Sequence, residues 1–297
     1  MTAPLPPLPP DEAQAALAAY LRSRPPGWPL PSPGQAPAAF FRDAFRPHLP
    51  ADGGTPLFTG YYEPEIEARL TPDARFRHPL YALPPDDGPG RGHSHAAILA
   101  GALAGRGLEL AFLADPVERF FLMVQGSGRL RLPGGRELRL GYAGQNGHPY
   151  RSLGREMVAR GLIPADAISA DAMRAWFAAH PRRTGAILAL NPSWVYFRIL
   201  TGLAPGDGPP GTAGVPLAAL VSLAVDPAHV PLGAPVLVET EADGLPFRRL
   251  MVAQDTGGAI RGAQRADIFF GTGEAAGRRA GRQRAGGRLV VLRPEGG

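Results

Sequence analysis

Two aspartates stand out by the residues around them. In Met251-Val252-Ala253-Gln254-Asp255-Thr256-Gly257-Gly258 a short apolar run ends on a carboxylate and then on glycines. In Ala266-Asp267-Ile268-Phe269-Phe270-Gly271-Thr272-Gly273 a carboxylate opens such a run. Each is expected where a strand meets a tight turn, a place from which a sheet can present an acid to a cleft for proton transfer. The plain alternative is that both side chains cap turns by bonding their own backbone, as Asp before Gly commonly does. Local sequence leaves both readings open.

The elements that must position these residues read as mainly β. The 39 glycines and 35 prolines among 297 residues favour a turn-dense β protein, and 44% hydrophobic residues suffice for a core. Beyond the Gly/Pro loop from Gly202 to Gly214, short apolar runs recur at Leu217–Val225, Pro235–Glu239, Arg249–Gln254, Asp267–Phe270 and Leu289–Leu292. Such spacing argues a small barrel. Leu130 and Leu132, then Leu138, Leu140 and Tyr142, alternate around Pro133-Gly134-Gly135, which predicts a hairpin with one wet face. Helices are expected at 152–160 and at 170–179, the latter capped by Ser169, and as short peripheral pieces after Asp11 and over 38–45. The segments 2–10 and 25–37 are Pro-rich and read as extended linkers.

Charge and composition exclude some classes. The chain carries a formal charge of +5 and no cysteine, which removes disulfides, thiol chemistry and cysteine-based zinc sites. Every basic residue is arginine; the cluster Arg278, Arg279, Arg282, Arg284 and Arg288 reads as a solvated face, and no nucleic-acid motif accompanies it. The 7 histidines show no ligand spacing, so no metal and no cofactor are expected. No stretch is long and apolar enough to span a bilayer. The first ten residues have neither a basic n-region nor an apolar h-region, and there is no cysteine for a lipid anchor.

Four separated blocks carry a family resemblance. Leu57-Phe58-Thr59-Gly60-Tyr61-Tyr62-Glu63-Pro64, Val124-Gln125-Gly126-Ser127-Gly128-Arg129, Gly141-Tyr142-Ala143-Gly144-Gln145-Asn146-Gly147-His148-Pro149-Tyr150, and the run from Val225-Asp226-Pro227 through Asp255 to Asp267 occur in one order. Together they resemble the MltA family of lytic murein transglycosylases with its three-aspartate domain. The resemblance implies a double-psi β-barrel built from sequence on either side of an inserted β domain. On that pattern 1–37 is an N-terminal segment, 38–68 and 193–297 form the barrel, and 69–192 is the insertion.

The resemblance also implies the chemistry: a peptidoglycan glycan strand is cut between N-acetylmuramic acid and N-acetylglucosamine, and the muramic acid C6 hydroxyl closes a 1,6-anhydro ring. One carboxyl can then act first as acid and later as base, given a raised pKa. By match to the family motif Asp267 would be that group, Asp255 its neighbour that orients it or raises its pKa, and Asp226 a supporting residue. Thr59, Tyr61 and Tyr62 from the barrel, and Gln125, Ser127, Arg129, Gln145, Asn146 and Tyr150 from the insertion, would bind the glycan. A monomer is expected, in the periplasm and in many members at the outer membrane, with export by a start upstream or a route not visible here. An inverting hydrolase using Asp255 as base, and a non-catalytic wall-binding module, are the alternatives. Arg261 where Lys is the family's usual residue, and Phe270 where Trp is common, keep the chemical character of the motif.

Overall fold

The computed structural model describes residues 5–51, 54–85 and 91–295. The chain divides into two compact units, Met1–Tyr62 with Ala204–Gly297, and Glu63–Leu203. The crossings therefore fall at 62/63 and 203/204 rather than near 68 and 193. The reason lies in strand pairing. The residues from Glu65 to Arg69 and from Val195 to Ile199 are laddered to strands of the second unit.

The first unit opens with helix α1 (Pro10–Ser23), helix α2 (Pro37–Ala44), and strands β1 (Phe45–His48) and β2 (Leu57–Glu63). Two expectations need correction here. Asp11 lies inside the first turn of α1, and Pro9 takes the cap position without a side-chain bond; proline at the helix start has no N–H to satisfy, so it displaces the acidic residue from the cap. Nor is α1 peripheral. Its Ala16, Leu17, Ala19 and Tyr20 are buried with Phe40, Phe41, Phe45, Leu250, Val252 and Leu292 in one core cluster. The Pro-rich segment that follows is tied down as well, because the Tyr20 hydroxyl donates to Pro29 O at 2.8 Å and Trp28 packs on Phe45.

The second unit contains β3 (Glu65–Arg69), β4 (His78–Tyr81), α3 (His95–Leu99), β5 (Glu109–Leu113), α4 (Pro116–Gln125), β6 (Gly128–Arg131), β7 (Glu137–Gln145), α5 (Leu153–Ala159), α6 (Ala170–Ala179), α7 (Thr184–Leu188) and β8 (Val195–Ile199). The strands form one sheet in the order β4-β5-β3-β6-β7-β8. The predicted hairpin is β6–β7, with Leu130 opposite Leu138 and a 3-10 turn over Pro133–Gly135. Its arginine face is not wet throughout. Arg129 and Arg139 are buried, and both reach the fully buried Glu63, at 2.7 and 3.1 Å. A buried carboxylate between two guanidiniums accounts for arginine at positions that alternation assigns to solvent.

The chain returns to the first unit through β9 (Ser222–Val225), β10 (Pro235–Ala242), β11 (Leu245–Thr256), β12 (Arg265–Thr272), helix α8 (Gly273–Arg282), β13 (Arg284–Ala285) and β14 (Gly287–Pro294). Eight strands form a sheet in the order β1-β14-β10-β11-β9-β12-β2-β13. One face buries Phe58, Leu223, Val225, Val236, Met251, Ala253, Ala266, Ile268, Phe270 and Val291 in a second core cluster. Only Ser222–Val225 of the expected strand from Leu217 is extended, since Leu220 takes a left-handed φ of 57°. The expected solvated arginines lie on and after α8 and are ion-paired: Arg279 and Arg282 to Asp243, Arg278 to Glu274, and Arg288 to Glu239. Among the described residues no helix is long and apolar enough to cross a membrane.

Candidate active site

Asp255 on β11 and Asp267 on β12 flank the same residue. Strand β9 runs between their strands, and Ala224 on β9 is the register partner of both. Laterally paired residues share a face, so the two carboxylates project to one side, their backbones two strand spacings or roughly 10 Å apart. A small residue between them leaves the floor low.

Plain alternation would not place Asp255 there. Met251 and Ala253 belong to the buried cluster on the other face, and residue 255 has the same parity. The register with β9 slips between Ala253 and Asp255, a bulge that turns Asp255 outward. The extra residue is Gln254, which is buried. Its Nε2 donates to Ala19 O and Ser23 Oγ at the end of α1, at 2.9 and 3.0 Å, and its Oε1 accepts from Ser222 Oγ at 2.6 Å. Helix α1 thus clamps the bulge beside Asp255.

On β12, Arg265, Asp267 and Phe269 share a face by alternation, and on β2 Thr59 and Tyr61 do the same. Thr59 Oγ1 donates to Asp267 Oδ1 at 2.7 Å, and Arg265 Nη2 donates to Thr59 Oγ1 at 2.8 Å. Tyr61 packs its ring 5.2 Å from that of Phe269 and donates its hydroxyl to Asp255 Oδ2 at 3.0 Å. Gly60, between them, faces the core, where an added Cβ would come 2.6 Å from the Phe270 ring and 2.8 Å from the backbone of Ala280 on α8. Gly60→Ala is therefore expected to cost about 1–3 kcal/mol of stability by overpacking and to push Thr59 and Tyr61 off their partners. Thermal unfolding alongside the activity assay checks it; an unshifted midpoint would show that α8 yields.

The two carboxyls have different electrostatics. Protein surrounds Asp267 on most sides while its side chain stays partly accessible, and burial raises its pKa to about 6. The Thr59 hydrogen bond and the Arg265 charge oppose that rise, and the charge of Asp255 adds the least to it. So Asp255 is not the chief cause of the raised pKa, and its hydrogen bonds run elsewhere. Its Oδ1 accepts from Thr212 N, Thr212 Oγ1 and Thr256 N at 3.0, 3.0 and 2.9 Å, in addition to Tyr61 on Oδ2. Burial raises the Asp255 pKa too, against the pull of those four donors. The Tyr61 hydroxyl is held far above its ordinary pKa, by burial first and then by both aspartates, so it stays a donor.

The structure places the other sequence-predicted residues less uniformly. Tyr62 points to the opposite face from Tyr61 and lies under α8, where a Cβ on Gly277 would meet its ring at 2.7 Å; it packs the core instead of presenting a sugar platform. Asp226 is buried and accepts from Gly262 N at 2.8 Å and Ala228 N at 3.2 Å, bonds that lower its pKa and fasten the loop between Asp255 and Asp267. The remaining six lie in the second unit. Asn146 is buried and committed to backbone: Nδ2 donates to His93 O and Pro192 O, and Oδ1 accepts from Trp194 N, each at 2.9 Å. Arg129 is held by Glu63, as above. Neither is free to bind a glycan, because burying either polar group required these partners. Gln125 ends α4, Ser127 follows the left-handed Gly126, Gln145 ends β7 exposed, and Tyr150 is 42% exposed.

Sequence reading missed Thr212 and Arg265. Thr212 sits in the Gly/Pro loop, whose signal was the glycine before it: a Cβ on Gly211 would lie 2.5 Å from Gln254 O, so only glycine lets the loop press Thr212 onto Asp255. Arg265 could have been found by its spacing of two from Asp267.

Known protein families match the chain in both units. Residues 57–89 and 90–198 match the model described as the MltA specific insert domain, and residues 221–293 match the 3D domain. The crystal structure of MltA from Neisseria gonorrhoeae aligns with a TM-score of 0.81 at 31% identity, over 96% of this chain and 89% of that one. The chain belongs to the MltA family. Another MltA relative is the membrane-bound lytic murein transglycosylase A of Escherichia coli K12, 39% identical over 249 residues. That match takes in 81% of this chain and 66% of the relative, just under two thirds of its length. The crystal structure of E. coli MltA with bound chitohexaose aligns with a TM-score of 0.74 at 38% identity, over 81% of this chain and 72% of that one.

Proposed function

We propose that this MltA-family chain is a peptidoglycan lytic transglycosylase that cuts the β-1,4 bond between N-acetylmuramic acid and N-acetylglucosamine, with Asp267 as acid and then base. The observation that carries the reading is the contrast between the two carboxyls. Asp267 is a partly accessible acid whose pKa is raised to about 6, so it keeps its proton to a higher pH than an ordinary carboxyl, as a general acid must. Asp255 already accepts four hydrogen bonds, and a carboxylate has only about four acceptor positions. Three of those donors crowd Oδ1 and Tyr61 engages Oδ2, so both oxygens are already engaged in holding the residues around them. This disfavours the inverting hydrolase, which needs a second working carboxylate. Asp255 instead holds Tyr61 and the Thr212 loop in place beside Asp267.

Further support comes from the relatives: the E. coli K12 protein is named a membrane-bound lytic murein transglycosylase A, and E. coli MltA was crystallised with bound chitohexaose. The surface residues Gln125, Ser127, Gln145 and Tyr150 remain the glycan contacts proposed for the second unit. For the first unit we propose a double-psi barrel. What supports closure is that Gln283 Nε2, before β13, donates to Phe58 O on β2 and to Glu241 O on β10, and Thr240 Oγ1 donates to Gly286 O. A location in the cell envelope, on the periplasmic side, follows from the substrate.

Mass spectrometry of murein digested with the purified chain tests the proposal. The expected products carry 1,6-anhydromuramic ends and so lack one water relative to hydrolysis products. Hydrated ends would point to the hydrolase, and binding with no muropeptide released to a wall-binding module.

A further inference from the structure

We infer that Thr59 and Arg265 are positioning residues that confine the exchangeable proton of Asp267 to Oδ2, so that a single carboxyl oxygen both gives and takes it. The inference rests on the reading of Asp267 as acid/base. It starts from what each group can donate. A guanidinium has donors only, so the 2.8 Å contact of Arg265 Nη2 with Thr59 Oγ1 makes the hydroxyl oxygen an acceptor. The hydroxyl's own hydrogen is then free for one bond, and Asp267 Oδ1 lies 2.7 Å away. In a protonated carboxyl the carbonyl oxygen is the better acceptor and the hydroxyl oxygen the poorer one, so the hydrogen bond accepted at Oδ1 favours the carbonyl form there and the proton on the other oxygen. The proton therefore resides on Oδ2.

The relay is fixed by the sheet. Arg265 also donates through Nη1 to Leu57 O at 3.3 Å and to Ala266 O, so its fork spans β2 and β12. Thr59 therefore acts through Asp267, not as a sugar contact. The charged groups facing Asp267 are Arg265 from its own strand and Asp255 from β11; Thr59 and Tyr61 face it from β2, and Arg284 acts on Arg265 from β13. Thr59 and Arg265 favour the ionised form, and Asp255 opposes it.

In the reaction, the Oδ2 proton passes to the oxygen of N-acetylglucosamine as its bond to muramic C1 breaks with the electron pair staying on oxygen. The C6 hydroxyl oxygen bonds C1 and its proton goes to Oδ2, which restores the acid with no water consumed. With Oδ1 capped throughout, the leaving oxygen and the C6 oxygen must both come within reach of Oδ2. That requirement suits intramolecular ring closure.

The test measures muropeptide release from insoluble murein by the full chain and its Thr59→Val, Thr59→Ser and Arg265→Met variants, between pH 4.5 and 8, with thermal unfolding to confirm folding. For Thr59→Val and Arg265→Met, kcat is expected to fall about tenfold, the loss of one hydrogen bond to a charged group, with little change in KM. Because each lost group favoured the carboxylate, the basic limb should move to higher pH. Thr59→Ser keeps the hydroxyl and should restore both. If either variant fails to fold, the other still decides. A raised KM with kcat and the basic limb unchanged would make Thr59 a substrate contact and overturn the inference, as would no change at all. An active Asp267→Asn variant would instead overturn the acid/base reading beneath it.

Discussion

Replacing Asp267 with Asn is expected to lower turnover by ~10²-fold or more, the usual worth of a general acid–base group, while making the first unit more stable at pH 8. The amide oxygen can still accept from Thr59 Oγ1 at the place of Oδ1, and the amide nitrogen stands where the protonated Oδ2 would be. Asn is thus a frozen copy of the acid form. The stability sign follows from the raised pKa. An Asp with a folded pKa of about 6 and an unfolded value of about 3.9 contributes stability that is fully present below pH about 3.9. That contribution is lost as pH rises through 6. About two pKa units correspond to on the order of 2–3 kcal/mol by pH 8. Asn never ionises and escapes the loss. The gap between the variants should widen from pH 5 to pH 8 in urea unfolding followed by circular dichroism. Residual turnover above about a tenth of wild type would remove Asp267 from the chemistry, and a constant gap would show that its carboxyl is not strained by burial.

The wild-type rate should fall on the basic side with a limb near pH 6, where Asp267 loses its proton. Asp255→Asn should move that limb only slightly towards acid, because Asp255 is the smallest contributor to the raised pKa. A large acid shift would mean that the neighbouring charge outweighs burial.

Much of the site was legible because strand alternation and glycine punctuation are local signals. Asp267 and Thr59 each lie at a position that simple alternation sends to the face opposite Ala266, Ile268 and Phe58. Asp255 was flagged by the glycines after it, yet its direction depends on a bulge at Gln254 that no periodicity announces. The bulge is held by Ala19 and Ser23, more than two hundred residues earlier in the chain. Long-range partners of this kind explain the misreadings too. Asn146 and Arg129 look like exposed polar loop residues until Pro192, Trp194 and Glu63 supply the buried acceptors and donors that claim them. Tyr61 and Tyr62 are adjacent in sequence and opposite in role, since a strand turns one to Asp255 and the other beneath α8.

Glu63→Ala is expected to cost the second unit about 3–5 kcal/mol, the range for breaking a buried ion pair by removing one partner. Glu63 is fully buried, and it is the carboxylate that both Arg129 and Arg139 reach. Removing it leaves two guanidiniums in a site shielded from water. Arg129 keeps a 3.8 Å approach to Glu137, whose side chain is 41% exposed, and this weak pair offsets little of the loss. The charge, and not the volume, is at issue. A triple variant with Glu63, Arg129 and Arg139 all replaced by methionine removes all three charges of this cluster and is expected to recover most of the stability, since apolar residues of similar size often match a buried ion network. Unfolding should be followed by the fluorescence of Trp176 and Trp194, which both lie in the second unit, in a Trp28→Phe background, so that its transition is read apart from the first. A loss below about 1 kcal/mol in Glu63→Ala would place the triad among ion pairs that solvent screens. Failure of the triple variant to recover would assign the cost to packing at the β3–β6–β7 junction, where Glu63 enters the sheet beside Pro64 and the close-packed Gly128.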